Sequence, residues 1–342
     1  MDKIKKTICQ NCSSKNTRKF GIQKNKLQTH QKYFCNDCQK TFILNKQEKN
    51  KSYPLPIILK AVTLYNLGHS QSQVQKLIKL TPKPSQKTIS NWINELKTTA
   101  AYSRLRTKTQ TQNPDEIIQQ HTFMHNNLPY KYQIHVKKLD LLTKDNEKYQ
   151  NLKHYLEKIP TNQFPHHIFT PNHSNVKQKL DRSSQTKFQV LNIKPLKKQN
   201  LANKLCTLAL NLARTSKQRH EKVQKFMLIN DSVTIAVEIP IYLTHDDLLY
   251  FKDHNFSLNP NDFSTPITGH IDLIQIRNNL IHVLDYKPEA SKINPIHQLT
   301  IYALALASKT KLPLTMFKCA WFDENNYYEF FPLHVVKKKS IY

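Results

Sequence analysis

Glycine is nearly missing from this chain, with three residues in 342, so few positions can enter the left-handed backbone region without strain. Gly21, Gly68 and Gly269 fall in three different stretches, and each is expected to mark a position that tolerates little else. Long apolar runs are also missing. Nothing approaches the roughly 18 consecutive apolar residues of a membrane span, so no membrane partner is expected. The basic start, MDKIKKTICQ, has no apolar stretch behind it, and no signal peptide is read there. The expected location is therefore a reducing cytoplasm (in a prokaryote, in association with the nucleoid). There the six cysteines read as metal ligands or free thiols before disulfides.

Acidic residues are scarce too, 24 against 52 Lys and Arg, for a net charge of +28. Residues 1–100 hold 19 basic against 4 acidic side chains and residues 101–200 hold 17 against 7, whereas the last 142 residues hold 16 against 13. An AT-rich coding bias would also enrich Lys, Asn and Ile, but it would not leave the C-terminal part nearly balanced. A polyanionic partner is expected along the first two-thirds of the chain, and DNA is the obvious one.

Four stretches follow from the pattern: 1–46, polar with two cysteine pairs; 52–99, helical; 101–199, mixed and of unassigned role; and 200–336, alternating helix and strand. Cys9-Gln-Asn-Cys12 and Cys35-Asn-Asp-Cys38 form two CxxC knuckles separated by 22 residues. A two-residue gap turns both sulfurs toward one ion, and two knuckles complete a tetrahedral site. So small and polar a segment needs its metal in order to fold. Zn2+ is expected, with a rubredoxin-type iron as the alternative. With Tyr33 and Phe34 before the second knuckle and Phe42 after it, residues 1–46 resemble the zinc ribbons at the front of many transposases. Cys206 and Cys319 stand alone in apolar surroundings and read as core.

In 52–99, Ile57, Ile58, Ala61, Leu64 and Tyr65 recur at helical spacing, and Gly68 suits a left-handed C-cap. Ser70 is expected to cap a second helix holding Val74, Leu77 and Ile78. Ser85 caps a third, Gln86–Leu96, burying Ile89, Trp92, Ile93 and Leu96. Its other face offers Gln86, Lys87, Ser90, Asn91 and Asn94 to base edges or phosphates. This resembles the helix-turn-helix that follows a zinc ribbon in transposase-like proteins. A three-helix bundle binding another protein is the other reading.

The C-terminal stretch reads as helix, three strands, helix, strand, strand. One helix is expected from about Leu201 to Met227, with His220 on it. Glu238 lies in the first strand, Asp272 in the second and Asp285 in the third, with a tight turn at 277–279 pairing the last two. Asp285 and Lys287, two apart, project from one face, and cross-strand neighbours can reach a common ion. Carboxylates that hold Mg2+ or Mn2+, with a lysine beside them, are the groups phosphodiester hydrolysis needs. Gln298 and Tyr302 share one face of the following helix.

Gly269-x-x-Asp272, Asp285-Tyr286-Lys287 and Gln298-x-x-x-Tyr302, with His220 and Glu238 upstream, resemble the PD-(D/E)XK nuclease superfamily, RecB-like branch, over about residues 205–325. The resemblance implies a restriction-endonuclease-like core. It makes His220, Asp272 and Asp285 metal ligands, Lys287 the catalytic lysine, Glu238 the acidic residue of the first strand, and Tyr286, Gln298 and Tyr302 accessory residues. Relatives with four cysteines around this core carry an iron–sulfur cluster; Cys206 and Cys319 are too few, and none is expected.

In 101–199, Tyr130-Lys-Tyr-Gln-Ile-His-Val-Lys-Lys suits either single-strand binding by stacking or a strand and helix on the nuclease core, and 145–159 reads as a short helix. The expected fold is thus α+β and multi-domain, and the expected activity a DNA nuclease. The alternatives are a non-enzymatic DNA-binding regulator on a nuclease fold and a mobile-element recombinase.

Overall fold

The two cysteine pairs bracket a three-stranded antiparallel sheet, β1 (Thr17–Lys24), β2 (Thr29–Cys35) and β3 (Thr41–Ile43). A computed structural model describes residues 7–24, 27, 29–44, 52–106, 116–125, 128–159, 183, 184, 186–263 and 266–337. Parts of the stretches read above, among them 1–6, 45–46, 107–115 and 160–182, lie outside the described residues, as does the side chain of Tyr130.

Three helices follow: α1 (Leu55–Asn66), α2 (Gln71–Leu77) and α3 (Gln86–Leu96). Ser70 accepts from Gln73 N while the Gln73 side chain accepts from Ser70 N, a capping box, and Ser85 caps α3 through Thr88 N; each satisfies donors the first turn leaves open. Gly68 ends α1 at φ +99°. Gly68 N reaches Tyr65 O at 3.0 Å and His69 N reaches Leu64 O at 3.3 Å, the paired bonds of a Schellman cap, which need a left-handed residue at that position. The Arg106 guanidinium donates to Tyr65 O, His69 O and Gly68 O at 2.6, 2.9 and 2.9 Å.

α1 is apolar on two sides. Ile58, Ala61 and Val62 pack with Val74, Ile78, Ile89, Trp92 and Ile93 inside the three-helix unit. Leu55 and Leu59 instead join a cluster of the larger domain, and full burial of each contributes about 1.5–3 kcal/mol. Buried Asn66 Nδ2 donates to Asn230 Oδ1 at 2.9 Å, and Asn230 Nδ2 to Thr63 Oγ1 at 3.1 Å. The helical unit is thereby docked on the domain that follows it.

That domain holds an eight-stranded mixed sheet among the described residues, in the order β4-β5-β7-β8-β9-β10-β11-β6. Its strands are β4 (Ile118–His125), β5 (Leu128–His135), β6 (Leu196–Lys198), β7 (Thr234–Leu243), β8 (Ile267–Arg277), β9 (Leu280–Tyr286), β10 (Phe317–Phe322) and β11 (Tyr327–Phe330). Only the β9–β10 pairing is parallel; the others are antiparallel. The hairpin β4–β5 and strand β6, both from 101–199, form the two edges. Helices α4 (Val136–Thr143) and α5 (Gln150–Lys158) follow the hairpin.

Two apolar clusters flank the sheet. One joins Leu139, Leu152 and Leu156 to β7–β10 and to α9 (Ile296–Thr310). The other joins α6 (Leu201–Leu210) and α7 (Arg219–Asn230) to Val237, Leu273, Leu284, Tyr286, Ala320, Phe322 and Tyr327. α8 (His245–Asp253) links β7 to β8, and α10 (Leu333–Val336) ends the domain. Cys206 and Cys319 are buried in these clusters.

Two differences from the sequence reading stand out. The single helix expected over 201–227 is two, separated by residues 211–218 with a 3-10 turn at Ser216–Gln218. Asn211 Nδ2 turns back to Thr207 O at 2.7 Å, and Gln218 Oε1 takes Arg214 N at 3.0 Å. Short polar side chains offer the backbone partners other than the helix ladder. The other difference is α8, which interrupts the expected run of three strands and starts from a Thr244–Asp247 capping box.

Candidate active site

The break before α7 places His220 in the first turn of that helix, over the middle of β8. His220 Nε2 lies 3.1 Å from Asp272 Oδ2, and its ring meets Tyr286 edge-on at 5.0 Å and 70°. Asp272 follows Gly269 by three residues on β8. β8 and β9 pair through Leu273↔Leu284, and one step further along this register Asp272 comes opposite Asp285. Asp272 Oδ2 also accepts from Tyr286 N at 2.9 Å. One ligand atom each from His220, Asp272 and Asp285 lies within 4.8 Å of the others. Lys287 Nζ sits 2.8 Å from Asp285 Oδ2.

The two aspartates are nearly enclosed, with Asp272 9% and Asp285 2% exposed. Two buried like charges facing each other are costly unless a cation compensates them. Burial, then the charge of Asp272, pushes the Asp285 carboxyl well above its ordinary value despite Lys287. Burial would raise Asp272 as well, but the hydrogen bond and charge of His220 outweigh it and hold that carboxyl below its usual range. Burial disfavours the His220 and Lys287 cations, yet their carboxylate partners outweigh it and raise both. The donor set of two carboxylates and an imidazole, short of positive charge, fits a divalent cation.

Glu238 completes the ring. It lies on β7 between Val237↔Leu273 and Ile239↔Ile271, which places it opposite Asp272. Its backbone sits at φ +55°, a left-handed conformation that costs a non-glycine residue about 1–2 kcal/mol. Gln224 Nε2 donates to Glu238 Oε1 at 2.6 Å. Burial, then the charge of Asp272, raises the Glu238 carboxyl to about 7.

On α9, Gln298 Nε2 donates to the Tyr302 hydroxyl at 2.8 Å. Burial first, and then the nearby charge of Asp285, raises that hydroxyl, which also bonds Ser183. Gly269 lets this arrangement close: a Cβ there would fall 2.5 Å from Ser183 Oγ and 2.6 Å from Tyr302 Cε1. His220, Glu238, Asp272, Asp285 and Lys287 thus form one cluster, with Gln298 and Tyr302 behind Asp285. Sequence reasoning missed Gln224, although it stands one turn after His220 on the same helix face. It also missed Ser183, which no local pattern marks.

At the other end of the chain, Cys9, Cys12, Cys35 and Cys38 bring their sulfurs within 4.8 Å of one another. Cys9 Sγ lies 3.6 Å from Cys38 Sγ, and Cys12 Sγ 3.6 Å from Cys35 Sγ. These are free thiols. A tetrahedral ion with Zn–S bonds of about 2.3 Å holds its sulfurs about 3.8 Å apart, so the spacing suits zinc and the cluster is compatible with a zinc ribbon. On α3, Gln86, Lys87, Asn91 and Asn94 are exposed and Ser90 partly so, opposite the buried Ile89, Trp92 and Ile93. Leu77 of α2 stays 43% exposed, unlike Val74 and Ile78. No described helix is long and apolar enough to cross a membrane.

The larger domain is therefore a mixed α/β unit built around a buried carboxylate–histidine cluster. Residues 175–326 match the family model of the PD-(D/E)XK nuclease superfamily. The matched span takes in His220, Glu238, Asp272, Asp285, Lys287, Gln298 and Tyr302. Neither the curated proteins nor the solved structures gave a match.

Proposed function

We propose that this chain is a metal-dependent deoxyribonuclease that hydrolyses phosphodiester bonds and is targeted to DNA by an N-terminal zinc ribbon and helix-turn-helix. The observation that carries the reading is the meeting of His220, Asp272 and Asp285 within 4.8 Å, with Lys287 2.8 Å from Asp285. His220, Asp272 and Asp285 would hold one Mg2+ or Mn2+. Such an ion supplies charge neutralisation at the scissile phosphate and acidifies the attacking water. Lys287 orients that water and offsets charge that builds up in the transition state. Gln224 aims the Glu238 carboxylate at the same space, while Gln298 and Ser183 fix the Tyr302 hydroxyl behind Asp285. Cys9, Cys12, Cys35 and Cys38 would hold a structural Zn2+. Gln86, Lys87, Ser90, Asn91 and Asn94 would face DNA from α3.

The test is cleavage of labelled single- and double-stranded DNA, linear and circular, by the full chain with Mg2+ or Mn2+. Wild type cuts and chelator stops it. Lys287→Ala binds DNA and metal normally but cuts at least about 100-fold more slowly under single-turnover conditions, the scale for removing one transition-state interaction. Cleavage that persists in chelator, or an unchanged rate in Lys287→Ala, sinks the assignment. Lys87→Ala with Asn91→Ala weakens duplex binding and flattens its salt dependence; unchanged duplex affinity would remove α3 from the targeting role.

A further inference from the structure

The sheet forks beside Glu238. β4 and β5 stay paired from Ile118↔His135 to His125↔Leu128, but β5 meets β7 only at Gln133↔Val237 and Ile134↔Ala236. Beyond Val237 comes Glu238 at φ +55°, and from that point the hairpin and β7 run apart. A crevice of about 440 Å³ lies in the fork, with Gln120, Lys131 and Gln133 on the hairpin wall. Its opposite wall is one face of α7 and the turn before it, where Lys217, His220, Gln224 and Lys225 recur at helical spacing. His220 and Glu238 also belong to the metal cluster, so the crevice opens onto that cluster.

A second crevice of about 260 Å³ shares Gln120, Gln133 and Lys225 with the first and reaches Leu67, just past the end of α1. The two form one trough from the metal cluster to the helical unit. Lys131, Lys217 and Lys225 stand along it against a single exposed acid on the helix wall, Glu221. Lysines that track phosphates, interleaved with amides able to meet base edges, make a surface for a nucleic-acid strand. The dimensions choose which kind. A volume of about 440 Å³ has room for one extended strand between the hairpin and the helix, whereas a duplex, two such strands with their paired bases, can only lie across its mouth.

We propose that this trough holds a single DNA strand running between the helical unit and the metal cluster, so that the preferred substrate is unpaired next to the bond to be cut. This rests on the nuclease reading above, and the experiment separates the two. The full chain binds a labelled single strand, a blunt duplex and a splayed duplex of the same sequence, with Ca2+ replacing the catalytic metal; cleavage of the three is then measured with Mg2+ or Mn2+. Wild type binds and cuts the single strand and the splayed duplex better than the blunt one. Lys131→Glu with Lys225→Glu binds the single strand at least about 10-fold more weakly, and its salt slope falls by about 0.7 for each phosphate the variant no longer neutralises. Lys131→Arg with Lys225→Arg keeps both, and Lys217→Ala shows a smaller loss of the same kind.

Single-strand affinity unchanged in the charge-reversed variant, or an equal loss for the blunt duplex, overturns the trough. If that binding pattern holds but wild type cuts nothing, the trough stands and the nuclease reading falls. Cleavage that ignores the two lysines brings down the trough alone.

Discussion

Gln224 Nε2 donates to Glu238 Oε1 at 2.6 Å, tying the helix that carries His220 to the one residue of β7 with a left-handed backbone, φ +55°. Glycine would adopt that conformation without strain, and yet a carboxylate stands there. Strain of this kind persists where surrounding interactions over-determine it, and it gathers at functional sites. Glu238→Gly is expected to be about 1 kcal/mol more stable than Glu238→Ala in urea unfolding, while both lower cleavage. Equal stabilities would mean that the backbone at 238 carries no strain.

The cysteine cluster makes a compositional prediction. Elemental analysis of the purified chain should find about one zinc per chain, and Cys35→Ser with Cys38→Ser should lose it. Without a metal the thiols titrate together. Burial would raise Cys9, but the backbone N–H groups of Asn11 and Cys12 and the neighbouring thiols bring it down, whereas burial and the neighbouring thiols leave Cys12 and Cys38 raised. Because so small a sheet depends on its metal, the loss should be accompanied by protease sensitivity in the first 44 residues. Zinc retained by the double variant would place it elsewhere.

What was legible in the sequence followed from spacing. The two knuckles, the Ser70 and Ser85 caps, the Gly68 stop and the turn that faces Asp272 to Asp285 are all local patterns, and each has a direct structural counterpart. The reading was thinner where non-local packing decides. The strand and helix offered as one reading of residues 130–138 are β5 and α4, on the core, but β4–β5 joins the sheet through two residue pairs with β7, and nothing within residues 118–135 names that partner. Ser183 reaches Tyr302 across a long sequence separation, so no window contains both. The break between α6 and α7 was visible in principle in the Asn and Thr side chains of 211–215, but apolar periodicity on either side concealed it.

Gly269 supports a packing prediction. The space its missing Cβ leaves is filled by Ser183 Oγ and Tyr302 Cε1, at 2.5 and 2.6 Å from where that atom would be. Gly269→Ala must push both away, and overpacking of this kind costs about 1–3 kcal/mol. Cleavage should fall with stability, because the Tyr302 hydroxyl that Gln298 holds would shift. Gly269→Ala with Ser183→Gly removes one of the two clashes and should recover part of the stability. A Gly269→Ala protein as stable as wild type would show that Tyr302 is free to move.

Lys138 gives the pH prediction. It is fully buried, and its Nζ donates to Leu228 O and to Asp231 O, the latter at 2.7 Å, so it caps the C-terminal end of α7. The groups around it are Asp231, His135 and Tyr102, whose ring lies 5.2 Å from Nζ. Burial lowers the Lys138 ammonium to about 7, and only Asp231 opposes the shift. The sign follows from the protons each state holds. Between pH 7 and the unfolded value of about 10.4, the unfolded chain holds a proton on this residue that the native chain has released. Stability therefore rises with pH across that window and is flat, for this group, below it. A depression of this size corresponds to a rise on the order of 5 kcal/mol across the window. His135 is pushed well below its ordinary range, by burial first and then by Lys138, so it titrates under acid conditions and does not interfere. Urea unfolding at several pH values from about 7.5 to about 10 checks this in wild type and in Lys138→Met. Wild type should gain stability over the series and Lys138→Met should lose most of that gain. Parallel curves for the two proteins would show that Lys138 keeps its proton in the folded state.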